Sequence, residues 1–256
     1  YVSKQPYISL DGHHDRQLAI RGLLTQYDWQ NSLNQKIGSE YKSQILRAFQ
    51  GINLNQFITP NEVVSFMANL VHFSDKDKVI DFECGSGSFI SAAINSGVKL
   101  ENILAIDVAD LPYLVTKTYL ALNFGITGNK IDDIPVKQAN GLLNYGNNWN
   151  VVISNPAGGN KYDPEDELND LSQIYKHLDK KIGKKNLGNK PSEYALSIQQ
   201  AILSCKPDGR ICLILPEGFF ANSQDEFLRE YLASKCQIKA VVSLPRGIFH
   251  KGTTTK

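Results

Sequence analysis

The sequence predicts an α/β fold, a doubly wound and mostly parallel sheet preceded by a helical N-terminal segment. Three observations predict it. Short apolar runs recur from residue 79 onward, separated by stretches long enough for helices. The runs are apolar nearly throughout instead of alternating, which marks strands buried on both faces. The first run opens into a small-residue loop with Gly85 and Gly87. Such loops sit at strand carboxyl ends in open α/β sheets, where ligands bind.

The elements follow in chain order. Residues 1–55 read as a polar, mostly helical segment, with Ile45, Leu46 and Phe49 at helical spacing. A helix start is marked at Thr59. Thr59 can cap, Pro60 suits the first turn, and Glu62 completes a capping box. Val63, Val64, Met67, Leu70 and Val71 then form one apolar stripe. The predicted strands are Val79–Phe82, Ile103–Val108, Val151–Ile153, Ile211–Leu215 and Ile238–Leu244, with a weaker one near Ile134–Val136. A helix is expected over Phe89–Ile94. The stretch 157–192 breaks the rhythm. It opens acidic, with Asp163, Glu165, Asp166, Glu167 and Asp170, and turns basic, with Lys176, Lys180, Lys181, Lys184, Lys185 and Lys190. It is expected to be a long surface insertion. Residues 56–256 thus form one α/β domain behind the N-terminal segment.

Composition narrows the function classes. No run of about 18 apolar residues exists, so no membrane span is expected. The start YVSKQPYISL lacks the apolar stretch of a signal peptide. Cys84, Cys205, Cys212 and Cys236 show no CxxC spacing, which argues against zinc and for reduced thiols in the cytoplasm. Net charge is +1, so nucleic-acid binding has to come from a local basic patch or from a partner.

The loop Asp81-Phe82-Glu83-Cys84-Gly85-Ser86-Gly87 lacks the Gly-Lys-Ser/Thr of a phosphate-binding P-loop and the third glycine of GxGxxG. A tight turn without a ligand fits the two glycines as well. Asp107 ends the second run about 20 residues on, the place for a carboxylate that accepts from ribose hydroxyls. An ordinary strand-end aspartate closing a turn also fits there, as does Asp81 bracing the loop.

DFECGSGSF resembles the DPACGSGGF-type cofactor loop of N6-adenine DNA methyltransferases, especially the modification subunits of type I restriction-modification systems. Other segments match in the family's order. Asn55–Val64 (NQFITPNEVV) resembles the GQFFTPREVV type, and Leu120–Gly125 resembles the helix after the second strand. Asn140-Gly141-Leu142-Leu143 falls where the family has Asp, then Ser or Thr, then Leu. Asn155-Pro156 falls where it has NPPF or NPPY. Leu213–Gly218 and Val242–Phe249 resemble the VLPDG and ISLPPGVF segments. The resemblance covers about residues 50–256.

It implies a Rossmann-like methyltransferase with S-adenosylmethionine as cofactor. Thr59 and Pro60 would hold its methionine end. Asp81, Glu83, Gly85 and Gly87 would form the loop around it. Asp107 would hold the ribose, and Asn140 would lie near the adenine ring. Asn155 and Pro156 would be catalytic, accepting hydrogen bonds from the target amino group. DNA would be the substrate, with a specificity subunit and a restriction subunit as partners. The resemblance also implies one more strand after Phe249, inserted between the preceding two, so the domain is expected to be truncated before it.

The chain departs from the family pattern in several places. The second proline of the tetrapeptide is Ala157 and its aromatic is Gly158. That removes a base-stacking platform worth about 1–3 kcal/mol. Tyr162 lies four residues on and could replace it. Phe82 stands for proline, Glu83 for alanine and Asn140 for Asp. Three functions fit this pattern: an adenine-N6 DNA methyltransferase, a catalytically degenerate DNA- or partner-binding module, and a methyltransferase acting on protein glutamine or an RNA base.

Overall fold

The computed structural model describes residues 59–156, 193–245 and 247–249. The expected N-terminal helical segment, Ala157, Gly158, Tyr162 and the lysine-rich insertion lie outside the described residues. The described chain runs through α1 (Asn61–Val71), β1 (Val79–Asp81), α2 (Ser88–Asn95), β2 (Ile103–Asp107), α3 (Asp110–Phe124), β3 (Val136–Gln138) and β4 (Trp149–Ser154). It continues through α4 (Glu193–Ser204), β5 (Cys205–Leu213), α5 (Gly218–Ala221) and α6 (Glu226–Lys235).

The five strands form one sheet in the order β3-β2-β1-β4-β5, and every pairing is parallel. β1 and β2 are buried throughout. Their pleat sends alternate residues to opposite faces. Val79, Ile103, Ala105, Val151 and Ile153 join α1, α2 and α3 in one core cluster. Ile80, Leu104, Ile106 and Val152 point the other way, toward Ala201 of α4. The sheet is thus covered on both faces, as the unbroken apolar runs predict. A third cluster packs Ala195 and Ile198 of α4 against Phe219 and Leu228.

Three local expectations are corrected. α1 starts one residue late: Pro60 is its N-cap, with extended ψ, and no side chain caps the helix. The Thr59 hydroxyl is bonded to Asn155 instead. In the apolar stripe, Val63, Val64, Met67 and Val71 are buried, but Leu70 is 50% exposed. Finally, Ile238–Leu244 is not a strand. Ile238, Val241 and Val242 are at least half exposed, and no described strand pairs with the segment. A strand needs a ladder partner, and this segment has none among the described residues. Leu244 and Ile248 still pack on the first core cluster.

Candidate active site

Because all strands are parallel, their carboxyl ends share one edge. The strand order reverses between β1 and β4, and the crevice outside such a switch point is where open α/β sheets bind ligands. Asp81 ends β1 and Asn155 follows β4, so the two flank that crevice.

The loop after β1 is tied down from several sides. The Cys84 N–H donates to the Ile106 carbonyl at 2.8 Å, and the Gly85 N–H donates to the Asp107 carboxylate at 2.8 Å. The Thr116 hydroxyl of α3 donates to the Gly85 carbonyl at 2.9 Å. Gly87 has φ 71°, and a Cβ there would lie 2.6 Å from the Thr116 methyl, so only glycine fits beneath α3. Gly85, at φ 52°, differs: a Cβ there would meet nothing within 4 Å among the described residues. Among the described residues, nothing obstructs the outer side of the loop at Gly85.

Among the described residues, three acidic side chains surround it. Asp81 is buried. It accepts from the Ser154 hydroxyl at 2.8 Å and the Glu83 N–H at 3.3 Å. Burial pushes its pKa up to about 8; the Ser154 and Glu83 hydrogen bonds oppose that rise, while the charges of Glu83 and Asp107 add to it. Glu83 accepts from the Ser197 hydroxyl of α4 at 2.7 Å. Asp107 also accepts from the Ala109 N–H at 2.9 Å. Burial raises its pKa too, against its two backbone hydrogen bonds. Both aspartates thus perform the bracing that the sequence left open, and each carboxylate retains lone pairs for further donors.

Asn140 closes an Asx turn. Its side-chain oxygen accepts from the Leu142 N–H at 2.9 Å, and its carbonyl accepts from the Tyr145 hydroxyl at 2.9 Å. It follows β3 on the same edge as Asp107, whose carbonyl accepts from the Ala139 N–H. Next to it, Gly141 packs backbone to backbone against the loop after β1: a Cβ there would collide with the Phe82 carbonyl.

Asn155 is half-buried, and its side-chain amide donates to the Thr59 hydroxyl at 3.1 Å across 96 residues of sequence. Pro156, next in the chain, is buried. The structure brings Thr59, Asp81, Glu83, Gly85, Gly87, Asp107, Asn140, Asn155 and Pro156 to one edge of the sheet, with Pro60 beside Thr59.

Four participants carry no motif in the sequence: Ser154, Thr116, Ser197 and Gln200. The last two sit on α4, where Gln200 donates to the carbonyls of Gly141 and Leu143 at 2.8 and 2.9 Å. A signal exists for α4: Ser197 and Gln200 fall one turn apart in a segment whose other buried residues are largely apolar. Polar groups on a buried stripe need partners.

The chain matches the N-6 DNA methylase family over residues 35–256. It belongs to that family. With membership comes S-adenosylmethionine as cofactor. The type I restriction enzyme EcoEI methylase subunit of Escherichia coli is 25% identical over 91% of this chain and 47% of its own length. The type II restriction enzyme and methyltransferase RM.BcgI of Heyndrickxia coagulans is 23% identical over 78% of this chain and 30% of its own. The chain thus spans less than half of either relative. Among solved structures, a Listeria monocytogenes chain described as a class I S-adenosylmethionine-dependent methyltransferase superposes with a TM-score of 0.67. It is 20% identical, over 96% of this chain and 73% of its own. A Vibrio vulnificus type I modification subunit gives 0.58 at 17% identity, over 77% and 42%. These likenesses establish the Rossmann-like fold of the family.

The donor set fits the cofactor. S-adenosylmethionine carries a sulfonium, an ammonium and a ribose diol, and the loop is surrounded by three carboxyl groups, of which Asp81 keeps its proton up to about pH 8. No helix among the described residues is long and apolar enough to cross a membrane.

Proposed function

We propose that this chain transfers a methyl group from S-adenosylmethionine to the N6 amino group of adenine in DNA, as the modification subunit of a type I restriction-modification system. The observation that carries the reading is the placement of Asn155-Pro156 at the sheet's switch point, beside the carboxylate-lined loop. Thr59, Pro60, Asp81, Glu83, Gly85 and Gly87 would hold the methionine part of the cofactor, Asp107 the ribose and Asn140 the adenine side. The cofactor supplies a methyl group on a cationic sulfur.

The chemical difficulty lies in the acceptor. The lone pair of an exocyclic amine is delocalised into the ring. Asn155 Oδ1 and the Pro156 carbonyl would accept the two amino hydrogens, drawing the nitrogen toward a pyramidal nucleophile aimed at the methyl group. The base has to leave the duplex to reach this edge. DNA is the substrate, and sequence choice would come from a specificity subunit, with a restriction subunit as further partner in the cytoplasm. The relatives' names point to such assemblies.

A second reading has its own observation. With Ala157 and Gly158 in place of proline and aromatic, the tetrapeptide suits a methyltransferase-fold module that binds DNA or a partner without catalysis.

The test is transfer of radiolabelled methyl to unmethylated DNA, with and without the specificity subunit. Label is expected in DNA as N6-methyladenine. Asn155→Ala should abolish transfer while cofactor affinity, read by calorimetry, stays within about twofold, because Asn155 faces the acceptor. Cofactor binding without any transfer would establish the second reading. Label in protein glutamine or in RNA would redirect the substrate.

A further inference from the structure

Asn155 has a fixed backbone and one described side-chain bond. Its predecessor Ser154 is held on both sides: the hydroxyl donates to Asp81 at 2.8 Å, and the carbonyl accepts from the Ile214 N–H at 3.2 Å. Its successor is the rigid ring of Pro156. Backbone constraints of this kind leave the side-chain torsions of Asn155 undetermined. An asparagine amide presents an oxygen one way and an NH2 the other, and only the oxygen can accept from a substrate amine. An amide turned by half a revolution would offer donors to a donor.

A threonine hydroxyl can donate or accept, so Thr59 selects the amide's NH2 end only when its own proton is committed elsewhere, and here it is the acceptor. Its hydroxyl oxygen, on a residue only 9% exposed, lies 3.1 Å from Asn155 Nδ2 and accepts from it. We propose that Thr59 is a positioning residue that locks the Asn155 amide with Oδ1 toward the acceptor site. This role rests on the proposed methyl transfer and deepens it. The bond also explains why the expected helix cap is missing. The Thr59 oxygen is engaged by a residue 96 positions away, while α1 begins at Asn61 with no side-chain cap. A hydroxyl that accepts from Asn155 keeps its own proton to donate. Thr59 can therefore hold the amide and still contact a carboxylate of the cofactor, and in such a chain of hydrogen bonds each bond strengthens the next.

The test compares Thr59→Val, which keeps shape and loses the hydroxyl, with Thr59→Ser, which keeps the hydroxyl. The first readout is the side-chain amide resonance of Asn155 in 15N-labelled protein, assigned by its loss in Asn155→Ala. Thr59→Val should move that resonance and speed its hydrogen exchange about tenfold or more, while Thr59→Ser should leave both near wild type. The second readout is kinetic. Thr59→Val should lower kcat by about 10–100-fold, the scale of a misplaced catalytic group, with KM for DNA nearly unchanged and with rescue by Thr59→Ser. An Asn155 amide signal identical in wild type and Thr59→Val overturns the proposal. So does a shifted signal with unchanged kcat. A wild-type protein that transfers no methyl group refutes the functional reading instead, and the amide spectrum still decides whether Thr59 orients Asn155.

Discussion

Asp81 is the residue where fold and chemistry meet. It is buried, ends the central strand, and its pKa is raised from an ordinary 3.8 to about 8 by desolvation. The consequence for stability has a definite sign. The unfolded chain releases this proton near pH 4, and the folded chain holds it until about pH 8. Between those values the folded state binds more protons, so the Asp81 contribution to stability falls as pH rises. The slope in that window is at most about 1.4 kcal/mol per pH unit. Asp81→Asn keeps an oxygen to accept from Ser154 and has no proton to lose. Urea denaturation from pH 5 to pH 9 should therefore show the variant losing less stability than wild type as pH rises. Parallel curves for the two proteins would mean that Asp81 titrates at an ordinary value.

At the scale of elements, the site is assembled by α4 as much as by the strands. Ser197 is fully buried and donates to Glu83 at 2.7 Å, while Gln200, one turn on, holds the loop after β3. Ser197→Ala removes a hydrogen bond to a carboxylate, an interaction worth about 1.5–3 kcal/mol. Denaturation midpoints should show a loss of that order, and a change below about 0.5 kcal/mol would mean that Glu83 is held by other groups. The strands are legible in the sequence because buried parallel strands are written as continuous apolar runs, and β1, β2 and β4 sit where those runs lie. The glycine loop is legible because Gly87 is forced by Thr116 and by its own φ. The role of α4 is legible only in part: polar residues on its buried face signal a need for partners, but nothing local names a loop 114 residues away as the partner. Nor does the sequence reveal that Thr59 bonds Asn155 instead of capping a helix. A capping box is a local signal, and a tertiary partner took the hydroxyl. Ile238–Leu244 reads as a strand by composition, but strand formation is a property of pairs, and its neighbour decides.

At the scale of the whole molecule, charge would set the terms of the proposed DNA binding. Net charge is +1 over 256 residues, so long-range attraction to a polyanion is weak and binding depends on where cations cluster. Along the chain, the densest cluster is the six lysines between 176 and 190, following Asn155-Pro156. Those lysines lie outside the described residues, and their clustering is a property of the sequence alone. A solvated charge run explains such a stretch equally well. If the lysines instead hold phosphates of DNA being opened for base flipping, each neutralised phosphate releases counterions and steepens the dependence of affinity on salt by about 0.9 in log–log slope. Binding to phosphates carries no sequence information. Changing Lys180, Lys181, Lys184 and Lys185 to Gln should therefore weaken binding alike for specific and random duplexes. The salt slope should flatten by about one for every phosphate no longer neutralised, while affinity for S-adenosylmethionine stays the same. The measurement is fluorescence anisotropy of a labelled duplex across a salt series, with the specificity subunit present. Equal slopes for variant and wild type would return the lysines to solvent and assign phosphate binding to a partner subunit.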